Sequence, residues 1–383
     1  MLRNMVVCLM MVIMGMAISG YVRAEEPYKI GAAFALTGPA ASLGIPEKNT
    51  AEMLMEQINA AGGINGHKLE IIIYDTAGDE TTTRTRVDKL INVDKVCAIV
   101  GPTRSGTSLA IIDMVQNAQI PNISCAASVK IVEPVGERKW VFKTPQSDVL
   151  AGERIAVYLK EQKLTKVAII TTKDPFGASG KEQLEVLFPK SGIEIVAKEE
   201  FNEKDPDVMS QLTKIKAANP QAVVCWSVSP GGATVTRNMK SELKMDIPLI
   251  MSHGVANMEY IKLAGEAANG VLFPAGKLPV ASELPDKDPQ KKLLVKYTQD
   301  YKAKFNEEPS TFGGHAWDAF NLVINAMRKV GDDKAKIRDE IEKTKNFVGT
   351  GGVFNFSPKD HNGLTKECLI MVKITNGKWT LAK

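Results

Sequence analysis

The chain has 383 residues, 44% of them apolar, 24% charged and 6% aromatic. That length implies two or three domains with a sizeable core, and the apolar share excludes disordered and collagen-like chains. A formal charge of +4 is too even for binding nucleic acid through a strong basic field, and five cysteines with four histidines leave little material for a metal cluster.

Six of the sixteen methionines fall in the first sixteen residues. Met1-Leu2-Arg3 is a short basic start, and the apolar run 5–18 has the length of a signal-peptide core but is short for a membrane span. Val22-Arg23-Ala24 offers small residues at the two positions a signal peptidase reads. Residues 1–24 are therefore expected to be a signal peptide cleaved after Ala24, and its loss removes two basic charges, Arg3 and Arg23. Cys8 is poorly placed for lipidation, because the apolar run follows it. No later stretch is long enough to span a bilayer, so an exported, soluble protein is expected. Cys97, Cys125, Cys225 and Cys368 lie in or beside apolar runs and read as buried free thiols rather than disulfides.

The first unit alternates strands and helices. Strands are predicted at 30–34, 69–74, 96–100 and 120–124, and helices at 47–61, between the second strand and about 94, and from 105 to about 118. This is a βαβαβαβ series, hence a parallel sheet with helices on both faces. After Phe142-Lys143-Thr144-Pro145 the pattern restarts. It runs helix 150–161, strand 167–171, helix 178–188, strand 193–197, helix 208–218, strand 222–226, helix 234–243 and strands 248–251 and 270–273. Helices at about 289–305, 313–329 and 337–344 follow, then strands at 353–356 and 368–374, the latter turning at Asn376-Gly377. Two α/β units without a Gly/Ser linker suggest two lobes, a hinge of short segments and a cleft between them.

Gly101-Pro102-Thr103-Arg104-Ser105-Gly106-Thr107-Ser108 follows a strand and opens a helix. It has the G-x-x-x-x-G frame of a P-loop, but Thr107 stands where the phosphate-binding lysine belongs, which argues against nucleotide hydrolysis. Free N–H groups at a helix start, with the Ser105 hydroxyl, suit an anion such as a carboxylate; an ordinary capped helix is the alternative. Ser124-Cys125-Ala126-Ala127-Ser128 ends the next strand, with small residues that leave backbone groups open and a second hydroxyl at Ser128. His67 and His361 lie in polar turns and are expected to be solvated, and His315 is expected to be structural. His253 ends strand 248–251 and is a candidate site residue. HExxH, CxxC, EF-hand and Gly-x-Ser-x-Gly patterns are absent.

Phe34-Ala35-Leu36-Thr37-Gly38-Pro39-Ala40-Ala41-Ser42-Leu43-Gly44 resembles the opening of periplasmic leucine/isoleucine/valine-binding proteins. Ile58-Asn59-Ala60-Ala61-Gly62-Gly63-Ile64-Asn65-Gly66, the Gly101 turn, Ala126-Ala127-Ser128, Asp174-Pro175-Phe176-Gly177 and Gly254-Val255-Ala256-Asn257 follow in that family's order. The resemblance implies a type I periplasmic binding protein of an ABC importer: two Rossmann-like lobes, a three-segment hinge and a cleft, without a cofactor. It implies lobe 1 at 25–145 and 275–350, lobe 2 at 146–274 and 351–383, a monomer in the periplasm, and a membrane permease as partner. It also implies that lobe 1 holds a ligand carboxylate through Ser105 and Ser128 and backbone groups at Thr103, Ala126 and Ala127.

The departures narrow the ligand. The positions that in family members surround an ammonium group read Leu43, Phe176, Val228 and His253, with His253 in place of an acid. The positions of a family disulfide read Gly78 and Arg104; Arg104 either adds charge-assisted bonding to the carboxylate or faces solvent. The expectation is a small organic carboxylate, with Phe176, Leu43 and Val228 against its apolar body and His253 at a polar tail. An aliphatic amino acid is the main alternative, a ligand sensor for a signalling partner the next, and an enzyme the last.

Overall fold

The computed structural model describes residues 25–382; the expected cleavage after Ala24 lies outside the described residues. β1 (Tyr28–Phe34) is an apolar run buried on both faces, as a central parallel strand must be. It is followed by α1 (Ala41–Ala60), β2 (Leu69–Asp75), α2 (Glu80–Asn92) and β3 (Ala98–Val100). Next come α3 (Ser105–Leu109), α4 (Ile112–Asn117), β4 (Asn122–Ser124) and β5 (Val141–Lys143). These strands form one parallel sheet in the order β2-β1-β3-β4-β5.

The second unit contains α5 (Asp148–Glu161), β6 (Lys166–Thr172), α6 (Pro175–Lys190), β7 (Glu194–Phe201), α7 (Met209–Ala217), β8 (Ala222–Trp226), α8 (Gly231–Arg237), β9 (Leu249–Met251), α9 (Met258–Ala264) and β10 (Leu272–Ala275). Its strands repeat the first topology in the order β10-β9-β8-β6-β7. α10 (Lys291–Phe305), α11 (Thr311–Val330) and α12 (Lys334–Glu342) follow, and α11 lies along α1. The pair β11 (Phe347–Val348) and β12 (Val353–Phe354) leads to β13 (Ile370–Thr375) and β14 (Lys378–Leu381). β13 joins β10 antiparallel, and β14 pairs with β13 through Asn376-Gly377. Both turn residues have positive φ, 50° and 71°, which a tight two-residue hairpin requires.

The result is two α/β lobes joined by a hinge. Its segments converge where Gln146 Nε2 donates to Gly351 O (2.7 Å) and Asp318 accepts from the Thr350 and Gly351 N–H groups (2.6 and 2.7 Å). The β11–β12 pair straddles the boundary expected at 350/351. Beyond it, Phe356 and His361 still pack on Phe142 of β5.

Several local expectations change. α1 starts at Ala41, not near residue 47, because Gly44 lets the helix press on β1's exit: a Cβ there would lie 2.1 Å from Ala35 O. The helix expected at 105–118 is broken into α3 and α4. α9 and β5 are additional elements, and β5 carries Lys143 wholly buried. His361 is buried, not solvated, beside the Val141 carbonyl and Glu342. His67 stacks on Tyr28 and lies beside Glu25. The four cysteines of the described residues are buried free thiols. Among the described residues no helix is long and apolar enough to cross a membrane, and no side-chain group could hold a metal.

Candidate functional site

In each sheet the strand order reverses between its first and third strands, β1/β3 and β6/β8. Ligands in open α/β sheets bind beyond the carboxyl ends of strands at such a point. Both reversals open onto one cavity of about 420 Å³ between the lobes. Lobe 1 lines it with Leu43 from α1, Thr103-Arg104-Ser105 after β3 and Cys125-Ala126-Ala127 after β4. Lobe 2 contributes Asp174-Pro175-Phe176 after β6, Val228 after β8 and His253-Gly254 after β9.

The Ser105 hydroxyl accepts from Ser128 N–H (3.3 Å), and its hydrogen remains available to a ligand. The other expected polar groups are largely committed within the protein. Ser128 is a correction: it does not line the cavity. Its hydroxyl donates to Ser179 Oγ (2.8 Å), and Ser179 in turn bonds Asp148. Thr103 Oγ1 bonds Glu47 and accepts from Ala35 N–H (3.0 Å), so only its backbone is free for a ligand. The Ala127 carbonyl accepts from Lys143 Nζ (2.8 Å). The helix behind Ser105 has only five residues, which reduces any macrodipole contribution.

Arg104 lines the cavity and is turned across the cleft rather than out to solvent. Its Nη2 reaches across the cleft to Asp174 Oδ2 (2.9 Å) and Glu203 Oε2 (3.0 Å), both on lobe 2. Burial opposes its charge, but Glu203 and Asp174 outweigh burial and raise the guanidinium pKa above its ordinary value. Burial also lifts the Glu203 carboxyl above the usual range, against the pull of Arg104.

His253 is packed edge-on by Phe176 and Trp226, at centroid distances of 5.6 and 5.7 Å. No hydrogen bond of good geometry reaches either ring nitrogen, although the Gln146 backbone lies near enough to favour the charged ring weakly. Burial, reinforced by the positive charge of Lys143, pushes its pKa down to about 3, so the ring is neutral at physiological pH. His315, expected to be structural, also lines the cavity; its Nδ1 lacks a partner, and burial with His253 and Lys143 pushes it to about 3. Sequence reasoning also missed Gln146 and Phe312 of the cavity wall. Their position depends on the hinge crossing and on α11 returning to lobe 1. The signal that existed was a His beside two glycines and a Phe at a helix start, Phe312-Gly313-Gly314-His315.

The cavity's acids are Asp79, Glu80 and Asp174. Asp79 and Glu80 are exposed at the rim, and Asp79 caps α2. Asp174 caps α6 and pairs with Arg104. The interior presents no uncommitted carboxylate to a ligand.

Comparison with known proteins agrees with this architecture. Residues 27–378 match the family model described as periplasmic binding protein. A leucine-, isoleucine-, valine-, threonine- and alanine-binding protein of Pseudomonas aeruginosa is 29% identical, over 88% of this chain and 89% of that protein. An extracellular ligand-binding receptor from Rhodopseudomonas palustris superposes with a TM-score of 0.88 at 29% identity, covering 94% of this chain and all of that one. A branched-chain amino acid substrate-binding protein of Streptococcus pneumoniae, solved with isoleucine, gives 0.83 at 28% identity, covering 94% and 99%. The chain belongs to the periplasmic binding protein family, as a solute-binding protein of the ABC-importer type and not an enzyme.

Proposed function

We propose that the protein captures a small organic carboxylate lacking an ammonium group in its interlobe cleft and delivers it, as a periplasmic monomer, to a membrane permease. The observation that carries this reading is His253, a buried neutral imidazole in the cavity wall at the position where the family resemblance puts an acid for an amino acid's ammonium. An ammonium desolvated beside a neutral ring, with no uncommitted carboxylate, loses more than it gains. A carboxylate meets the Ser105 hydroxyl and nearby backbone groups, with Phe176, Leu43 and Val228 against the rest of the ligand. Binding of leucine or its relatives is the second reading, favoured by the amino acids that similar proteins bind.

Isothermal titration with leucine, valine and a panel of benzoate-type acids separates the two. Binding of at least one acid with weak or absent leucine binding is expected. Tight leucine binding with no response to any acid that lacks an amine overturns the proposal.

A further inference from the structure

The turn 127–129 after β4 is held at every residue. The Ala127 carbonyl accepts from Lys143 Nζ (2.8 Å), Ser128 N–H donates to Ser105 Oγ (3.3 Å), and Val129 N–H donates to Asp148 Oδ1 (3.1 Å). Ser105 and Ala127 line the cavity, so this turn and the start of α3 form one piece of its lobe 1 wall. Two of the residues that hold the turn lie beyond the hinge crossing. Asp148 opens α5, and Ser179 stands in α6, whose first turn carries Phe176 of the lobe 2 wall. The Ser128 hydroxyl donates across the lobe boundary to Ser179 Oγ (2.8 Å), and Ser179 donates to Asp148 Oδ2. Ser128, Ser179 and Asp148 are all wholly buried. α3 also lies directly on α6: a Cβ at Gly106 would stand 3.2 Å from Pro175 Cγ.

A hydroxyl has one hydrogen to give. That of Ser128 goes to Ser179 and that of Ser179 to Asp148, so the chain runs one way and ends on a carboxylate. The Ser128 N–H sits on the same residue as the hydroxyl tied to lobe 2. It donates to Ser105 Oγ, which occupies a lone pair there and leaves the Ser105 hydrogen to point at another acceptor. Fixing Ser128 from lobe 2 therefore fixes the direction of the Ser105 hydroxyl in lobe 1. Ser179 itself does not line the cavity, so it acts on a ligand only through Ser128 and Ser105.

We propose that Ser179 is a positioning residue for ligand capture: from lobe 2 it holds Ser128, and through the Ser128 N–H it aims the Ser105 hydroxyl at the ligand's carboxylate when the lobes are closed. This rests on the reading above in which Ser105 meets a carboxylate. The carboxylate site of lobe 1 is then complete only with lobe 2 against it, which ties capture to closure without a ligand contact from Ser179.

The test is isothermal titration of benzoate, phenylacetate and leucine, all carboxylates, into the wild type, Ser179→Ala, Ser105→Ala and the double variant, with the Tm of each ligand-free protein. For every probe that binds the wild type, Ser179→Ala should weaken binding about tenfold. In the Ser105→Ala background the same substitution should cost less than about twofold, because the hydroxyl it aims is gone. Lys130→Gln breaks an exposed contact between the same turn and α6, Lys130 Nζ to Glu182 (2.7 Å), and should leave affinity unchanged. A lower Tm with unchanged affinity in Ser179→Ala makes the chain merely structural and overturns the proposal. An equal loss with and without Ser105, the mark of a simple latch, overturns it too. If leucine alone binds, the reading of an acid without an amine falls, while the cycle run with leucine still decides Ser179. Affinity unchanged in Ser105→Ala, or binding of none of the three probes, overturns both. If Ser179→Ala does not fold, Ser128→Ala, which breaks the same bond from lobe 1, takes its place in the cycle.

Discussion

Arg104 joins the lobes through two ion pairs, and this gives a prediction whose sign separates a latch from a ligand contact. The perturbation is Arg104→Gln, compared with Asp174→Asn and Glu203→Gln. Asparagine is an equally good N-cap, so Asp174→Asn removes charge while leaving the start of α6 capped. The three side chains are 18%, 20% and 12% exposed. The network thus lies between a surface pair, worth about 0–1 kcal/mol, and a buried one, whose disruption costs about 3–5 kcal/mol. Loss of Arg104 leaves Asp174 and Glu203 facing one another uncompensated, so about 2 kcal/mol of closed-state stability should go, roughly a thirtyfold change in the closed-to-open ratio. Apparent affinity scales with the closed fraction, so binding of every ligand should weaken by up to about that factor. Titration calorimetry gives the affinities, and small-angle scattering with and without ligand gives the compactness. A latch requires that Arg104→Gln, Asp174→Asn and Glu203→Gln all weaken binding and that the double variants be less than additive. If Arg104 instead bound the ligand's carboxylate, Asp174→Asn would free it and tighten binding. That outcome would refute the latch.

Two further predictions follow from buried groups. The unfolded chain protonates His315 near pH 6.5 whereas the native protein does so only near 3, so the unfolded state binds more protons below pH 6.5 and stability falls with pH across that window. This amounts to about 2 kcal/mol between pH 7.5 and pH 5; Asp318, raised by burial to about 7, acts in the opposite direction. Urea unfolding of His315→Gln should therefore show a pH loss smaller than wild type by about 2 kcal/mol, and equal losses would contradict a neutral buried ring. Gly177→Ala would put a Cβ 1.9 Å from Thr172 O, at the strand end that presents Asp174 and Phe176. A cost of about 2–4 kcal/mol and a clearly lower Tm are expected, whereas Gly136→Ala, with nothing within 4 Å, should leave Tm unchanged.

The periodicity of short β-rich runs and amphipathic helices was enough to read most strands of both sheets and to put Ser105 and His253 at strand ends, while Phe176 and Val228 came from the family resemblance. What failed to show depends on distant partners. Ser128 looks like a free hydroxyl until Ser179, on another lobe, takes it. Arg104 has its second acid nearly a hundred residues away, at Glu203. Strand β5 was hidden because Lys143 reads as a surface residue, whereas the fold buries it and gives it the Ala127 carbonyl. His315 sits inside a long apolar helix whose return to lobe 1 decides which side faces the cleft. α1 starts early because Gly44 and Pro46, turn signals by composition, are tolerated in its first two turns.

Lys143 also bears on how a protein of small net charge can select an anion. Its pKa is lowered by burial to about 8, so the ammonium remains largely charged at neutral pH. It touches the carbonyl of Ala127, a cavity residue, and its charge contributes to the lowered pKa of both His253 and His315. The acids that could cancel this field inside the cleft are spent. Burial holds the Glu47 carboxyl well above its usual range, its Oε2 accepts from the Thr103 hydroxyl, and Asp174 is paired with Arg104. Burial likewise raises Asp148, although the Ser179 bond and Lys143 pull against it. A ligand therefore meets a low-dielectric cavity with neutral rings at its walls, where the charge of Lys143 acts far more strongly than it would at the surface. Under this arrangement the discrimination against an ammonium does not need a cationic side chain touching the ligand. It needs only that the carboxylates within reach be paired or hydrogen-bonded within the protein, and that one buried lysine stay charged behind the strand end.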